Sequence, residues 1–175
     1  MTNSARRLLL LRHAKAEPHG TVPDELRRLD PRGRHQATSV GTGLRTAALQ
    51  PETVLVSSAV RARETWEHVA STLADEPAPD VVLRDDLYWA SVEDVVEILR
   101  NVDARVRTVL VVAHEPTMSE TAVRLAGSGS PEVMNQVRHG LPTASYALLD
   151  VPTTWAELEP MGAVLRDVVR PAWRD

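Results

Sequence analysis

The chain has 175 residues, 43% of them hydrophobic, which suits one domain over residues 1–175 with a real core and excludes a disordered chain. There is no cysteine, so disulfides, thiolate metal sites and a cysteine nucleophile are excluded. The formal net charge of -4 argues against a general nucleic-acid binder. In chain order, the first feature is the apolar run Leu8-Leu9-Leu10-Leu11, which ends abruptly in Arg12-His13. Such a run reads as a buried strand. With Arg12 and Lys15 following at once, it is too short for a signal peptide or a membrane span, so a cytoplasmic protein without membrane contact is expected. Asp30-Pro31 supplies an N-cap and a first-turn proline for a helix with its apolar stripe at Ala37, Val40, Gly41, Leu44 and Ala48. Thr53-Val54-Leu55-Val56 reads as a second strand, and Ala62, Trp66, Val69, Ala70 and Leu73 as a second helical stripe. A third strand falls at Val81-Val82-Leu83. The helix after it carries Val92, Val95, Val96 and Leu99 and is opened by the pair Ser91/Asp94, which reads as a capping box. Thr108-Val109-Leu110-Val111-Val112 is a fourth strand, followed by the stripe Met118, Ala122, Leu125 and Ala126. A late strand covers residues 144–151. This alternation predicts an α/β fold of three layers, α/β/α, with a mainly parallel sheet and helices on both faces.

Three segments share one layout, in which polar groups follow an apolar strand and precede a helix. They are Arg12-His13, the stretch from Ser57-Ser58 to Arg61-Ala62-Arg63-Glu64-Thr65, and Ala113-His114-Glu115-Pro116. In open α/β sheets, ligands bind at the carboxyl ends of the strands. The layout therefore brings two imidazoles and two guanidiniums to one sheet edge. A guanidinium holds a phosphate by paired hydrogen bonds, and an imidazole is a nucleophile or acid/base near neutral pH. Pro116 suits the first turn of a helix, which puts His114 at a helix N-terminus, a favourable place for an anion. No HxH or HxxEH spacing supports a metal site, and no metal or other cofactor is expected.

These three segments, in this order, resemble the signatures of the histidine phosphatase superfamily, the phosphoglycerate-mutase-like fold. Asp24-Glu25-Leu26-Arg27-Arg28-Leu29-Asp30-Pro31-Arg32-Gly33 and Leu141-Pro142-Thr143-Ala144 resemble segments of its small SixA-like phosphohistidine phosphatase branch. The resemblance implies that His13 is the nucleophile that becomes transiently phosphorylated, with Arg12, Arg61 and His114 around the phosphoryl oxygens. It also matches Arg27 to the family segment, as a contact to the substrate anion or a surface ion pair. Phosphoryl transfer is mostly positioning and charge stabilisation, which two fixed cations supply. Splitting hydrolysis into transfer to histidine and then to water makes each step easier.

Mutase-like relatives carry a Glu or Asp soon after the third strand to protonate the leaving oxygen. Here the comparable stretch is Asp85-Asp86-Leu87-Tyr88-Trp89-Ala90, where an aromatic residue falls near the expected carboxylate. Asp85, Asp86, Glu17 and Asp24 are all candidates for the acid, and the sequence does not choose among them. An alkoxide leaving group needs a proton far more than imidazole does. The leading expectation is therefore a metal-independent phosphatase acting on phosphohistidine in a protein. The alternatives are a phosphatase for small sugar or nucleotide phosphates and a non-catalytic phosphate-binding module. The partner is accordingly a phosphorylated protein or small phosphorylated molecule, and the oligomeric state is open. Lys15, the single lysine, lies in the first signature loop and is either solvated or a lure for an anionic substrate. Arg63 and Glu64 read as helix surface, His19, His35, His68 and His139 as surface or structural groups, and Trp66, Trp155 and Trp173 as packing residues.

Overall fold

A computed structural model describes residues 5–20, 22–73 and 77–170, so Trp173 lies outside the described residues. Strand β1 covers Arg6–Arg12, and its four leucines are fully buried. Successive side chains alternate across a strand. Leu8 and Leu10 therefore enter one core and Leu9 and Leu11 the other. Each leucine contributes roughly 1.5–3 kcal/mol by leaving water, and a strand buried on both faces belongs in mid-sheet. There β1 pairs in parallel with β4 (Thr108–Ala113) and antiparallel with β6 (Tyr146–Val151). Beyond β4 lie β2 (Thr53–Ser57) and the edge strand β3 (Asp80–Arg84), both parallel. Beyond β6 lie β7 (Ala163–Val169) and β5 (Ala126–Gly129). The sheet order is β3-β2-β4-β1-β6-β7-β5, and β6 alone runs against the others.

Two layers of helices enclose this sheet. Helices α1 (Pro31–Thr46) and α2 (Val60–Ala70) pack Ala37, Val40, Leu44, Trp66 and Val69 against Leu9 and Leu11. On the opposite face, α3 (Val92–Arg100), α4 (Thr117–Leu125) and α5 (Pro131–Arg138) pack Val95, Leu99, Met118, Leu125 and Val137 against Leu8 and Leu10. The fold is the three-layer, mainly parallel α/β architecture expected.

Several local expectations hold and others shift. The Asp30 carboxylate caps α1 by accepting from the Gly33 N–H at 2.6 Å. Gly33 also has a steric role, because a Cβ there would meet the Lys15 carbonyl oxygen at 1.9 Å. The Ser91/Asp94 capping box opens α3. Trp155 is fully buried, with its indole N–H donating to the Val106 carbonyl at 2.8 Å, and Trp66 is in the core. Ala48 is not on the apolar stripe. It lies past the end of α1 at φ 53, and Leu49 is buried instead. Pro116 is the N-cap of α4 rather than part of its first turn. The late strand starts at Tyr146, because Ala144 takes a left-handed φ of 55 and belongs to the preceding turn. Glu64 is not helix surface but 9% exposed, because its carboxylate is needed inside: it accepts from the Leu29 N–H at 2.7 Å and pairs with Arg28. Among the described residues, no helix is long and apolar enough to cross a membrane.

Candidate active site

Strands β1, β2 and β4 end at the same sheet edge, and each delivers polar groups there. Arg12 is the last residue of β1 and His13 follows it, with its N–H bonded to the Ala113 carbonyl at 3.0 Å. Ser57 ends β2, Arg61 lies in the first turn of α2, and His114 follows β4. The next residue after His13 is also tied down. The Ala14 N–H donates to the Thr65 hydroxyl at 3.0 Å, and that hydroxyl donates to the Arg61 carbonyl at 2.6 Å. One buried threonine thus fixes α2 against the end of β1.

His13 is 9% exposed. Its Nδ1 lies 2.8 Å from the Ala14 carbonyl oxygen, which can only accept, so Nδ1 carries the proton. The Nε2 lone pair is then available, and it receives the Arg61 Nε–H at 3.2 Å. Burial, reinforced by His114, Arg61 and Arg12, pushes the His13 pKa down to about 3, against the upward pull of the Ala14 bond. His13 is therefore a neutral imidazole with a directed lone pair at neutral pH.

The His114 ring lies 5.2 Å from that of His13, centroid to centroid. Its Nδ1 accepts from Arg61 Nη2 at 3.4 Å, so Nε2 carries the proton and donates to the Ser57 hydroxyl at 2.7 Å. Burial first, then the charge of Arg61, lowers its pKa to about 4. Arg61 is 5% exposed and its guanidinium also donates to the Asp24 carbonyl at 2.7 Å and to Asp24 Oδ2 at 2.9 Å. Arg12 donates from Nη1 to the Leu141 carbonyl at 2.9 Å, while its buried Nε has no hydrogen-bond partner among the described residues. An anion beside His13 would satisfy such a donor.

The four acid candidates part company. Asp24 joins the cluster: besides Arg61, it accepts from Arg27 Nε at 2.8 Å and from the Tyr88 hydroxyl at 2.6 Å. Burial pushes its carboxyl up, but the Tyr88 and Arg27 bonds and the Arg61 charge outweigh this and hold it well below the usual carboxylate range. Asp86 instead pairs with Arg84 at 2.6 Å, and Asp85 and Glu17 are exposed. Arg27 is drawn inward, donating to Asp24 and to the Glu17 carbonyl at 2.6 Å. His19, 80% exposed at its side chain, approaches Asp24 at 3.5 Å. Arg63, His35 and His139 are exposed, and His68 is half-buried on α2. The sequence reading missed the roles of Ser57, Thr65 and Tyr88 in this network. Ser57 stood in a quoted motif, and its place at a strand end beside His114 was the available signal. Tyr88 is 64 residues from Asp24, and no local pattern links them. Among the described residues, no group of three or more His, Cys, Asp or Glu side chains could hold a metal ion.

No family model matches the chain. An uncharacterized protein of Mycobacterium leprae is 37% identical over 85% of this chain and 92% of its own. A protein designated phosphohistidine phosphatase SixA from Nakamurella multipartitia is 32% identical, with a TM-score of 0.84 over 97% of this chain and 98% of that one. Another designated SixA, from Agrobacterium tumefaciens, is 26% identical, with a TM-score of 0.78 over 95% and 99%. The chain belongs to the histidine phosphatase superfamily and, like the solved relatives it matches, is a phosphatase. Within it, the SixA-like branch is the match in both sequence and fold.

Proposed function

We propose that the chain is a metal-independent phosphatase that carries the phosphoryl group on His13, and that its substrate is phosphohistidine in a protein. The observation behind this reading is the neutral His13 whose Nδ1–H is anchored to Ala14 while Nε2 faces a guanidinium. A phosphoryl dianion draws the Arg61 Nε–H away from Nε2, which frees the lone pair to attack phosphorus. Arg12 and Arg61 neutralise the oxygens as the bond to the leaving nitrogen breaks. The dianion also supplies an opposite charge, which favours protonation of the nearby imidazole that is not attacking. That imidazole is His114, which takes a proton from solvent and donates to a phosphoryl oxygen. Water then attacks the phosphorus on His13, releasing phosphate and restoring the imidazole.

The leaving-group argument supports phosphohistidine over an alkyl ester. Asp24 is the carboxylate in contact with this cluster, and its partners keep it ionised, so it has no proton to give at neutral pH. Imidazole departs without a strong acid, whereas an alkoxide lacking one loses roughly 10²–10⁴ in rate. The test is a rate comparison of a phosphohistidine protein, aryl phosphates and alkyl phosphates, with and without chelator. Phosphohistidine and aryl phosphates should turn over well and alkyl phosphates poorly, and chelator should change nothing. Efficient alkyl phosphate turnover overturns the substrate reading in favour of small esters, and reversible loss with chelator overturns the metal-free mechanism.

A further inference from the structure

Tyr88 and Trp89 are neighbours in the segment after β3, and the phosphoryl site uses only Tyr88. Trp89 is 85% exposed, more than any other large apolar side chain among the described residues. Its surroundings are nonetheless fixed. Leu87 and Ala90 are buried, the Tyr88 N–H donates to the Asp85 carbonyl at 3.1 Å, and the Ala90 carbonyl accepts from the Thr117 hydroxyl at 2.9 Å. The backbone is thus anchored on both sides of an indole that is presented to water.

A series of rings joins that indole to the reaction centre. His13 and His114 are 5.2 Å apart, His114 and Tyr88 5.4 Å, and Tyr88 and Trp89 4.6 Å, centroid to centroid. The indole is therefore no more than about 10 Å from the His114 ring. Extended chain advances about 3.3–3.6 Å per residue, so this distance is the reach of about three residues. The rim around Trp89 is apolar as well. Among the described residues six large apolar side chains are exposed, and three of them, Val22, Leu26 and Trp89, belong to the two segments that the Asp24–Tyr88 hydrogen bond ties together. Single exposed apolar residues are ordinary on a protein surface, but these three are gathered where the phosphoryl site opens. A small sugar phosphate has no group to place on such a rim, whereas a polypeptide has.

We propose that Trp89 is a specificity-determining residue, which receives an apolar side chain of the substrate polypeptide within three positions of the phosphohistidine. The proposal rests on the phosphatase reading above and adds a sequence preference to it. A fixed indole suits the task, because it offers a large contact area and has little conformational freedom to lose. The contact lies away from the phosphorus and is equal in ground and transition states, so it acts on KM and leaves kcat unchanged.

The experiment follows hydrolysis of phosphohistidine peptides that carry leucine or serine at the three positions on each side of the modified histidine. Wild type, Trp89→Ala and Trp89→Phe are compared. On the wild type, the leucine peptide should show a KM about tenfold below that of the serine peptide, at equal kcat. Trp89→Ala should bring the two KM values together. Trp89→Phe should retain a preference of about threefold, because the smaller ring still offers an apolar face. Equal KM values on the wild type, or a preference that survives in Trp89→Ala, overturn the role of Trp89 while the phosphatase stands. Calorimetric binding of the same peptides to His13→Ala separates recognition from chemistry. A leucine preference in Kd that is lost in the His13→Ala/Trp89→Ala double variant supports the proposal even if the wild type hydrolyses neither peptide, a result that overturns the phosphatase reading alone. Equal Kd values for the two peptides overturn the proposal.

Discussion

The two ends of β1 carry similar side chains with different consequences. At its start, Arg6 is 6% exposed, donates to the Thr153 and Ala104 carbonyls at 2.7 and 2.9 Å, and leaves a buried Nε without a partner. At its end, Arg12 donates to the Leu141 carbonyl and also leaves a buried Nε without a partner. Both arginines bond backbone carbonyls and leave one buried nitrogen over. They differ in what surrounds them. Arg6 hydrogen-bonds two neutral carbonyls, so it serves as a clamp between loops. Arg12 stands beside two imidazoles and Arg61, where burial, and after it the positive charge of the arginines, hold His13 and His114 neutral. Parallel strands put a sheet's ligand-binding edge at their carboxyl ends, so one end of β1 became a clamp and the other a reaction centre.

The largest expected effect is at the carboxyl end. His13→Ala should lower kcat by at least about 10⁴, as removal of a covalent nucleophile does, with the circular dichroism spectrum unchanged. Alkaline quench of wild-type turnover should trap phosphate on His13 alone. Normal turnover in the variant, or phosphate on another residue, breaks the contrast between the two ends.

Charge removal should come next. Arg61→Ala, Arg12→Met and His114→Ala should each cost on the order of 10²–10³ in rate. Arg6→Met should leave the rate per folded molecule unchanged. Losing its bonds to two partly buried carbonyls should instead cost about 1–3 kcal/mol of stability, read from a urea midpoint. If Arg6→Met and Arg12→Met act alike on both readouts, the distinction between clamp and reaction centre is wrong.

The depressed imidazoles predict a pH signature. A histidine whose folded pKa lies below its unfolded value binds its proton more readily in the unfolded chain. Stability therefore falls as pH drops below about 6.5, and keeps falling until the folded pKa near 3 is reached. At pH 5 His13 should account for a loss of about 2 kcal/mol relative to pH 8. His13→Ala should remove about half of the histidine-linked fall in the urea midpoint over this range, the rest belonging to His114, and a variant as pH-sensitive as the wild type argues against a neutral buried imidazole at His13. The free enzyme's kcat/KM should lack an acid limb near pH 6.5, because the nucleophile stays neutral well below it.

What could be read from the sequence follows the same asymmetry. Strands buried on both faces announce themselves as apolar runs, so β1, β2 and β4 were visible, and with them the edge where Arg12, His13, Arg61 and His114 meet. Beyond β1, β6 was visible as the late strand, but β7 and β5 were not. β5 is Ala-Gly-Ser-Gly and has no apolar pattern, and β7 is interrupted by Arg166-Asp167. Helix α5 contributes only Val137 to the fully buried core, too little for a stripe. The acid question was illegible for a different reason. Asp24, Tyr88 and Arg61 lie in three segments, and only tertiary structure shows that Asp24 alone of the four candidates contacts the cluster.

Asp24 supplies the finest test, because its charge opposes the substrate's. Its carboxylate occupies Arg61 Nη2 and accepts the Tyr88 hydroxyl, so an incoming phosphoryl dianion competes with it for Arg61. A proton-donating role requires a carboxyl that is protonated at neutral pH, and the bonds from Tyr88 and Arg27 with the charge of Arg61 hold this one in the opposite state. Asp24→Asn keeps the shape and the acceptor oxygen but removes the negative charge. The repulsion it relieves is modest, because the side chain is 35% exposed and solvent screens it. KM for phosphohistidine and aryl phosphates should therefore fall by about three- to fivefold, with kcat changed by no more than about threefold. The KM advantage should shrink in high salt, as a charge effect does. A steep fall in kcat on these substrates would instead show that Asp24 acquires a proton once the phosphoryl group has displaced it from Arg61. It would then be the general acid, and the argument from leaving groups would no longer favour phosphohistidine.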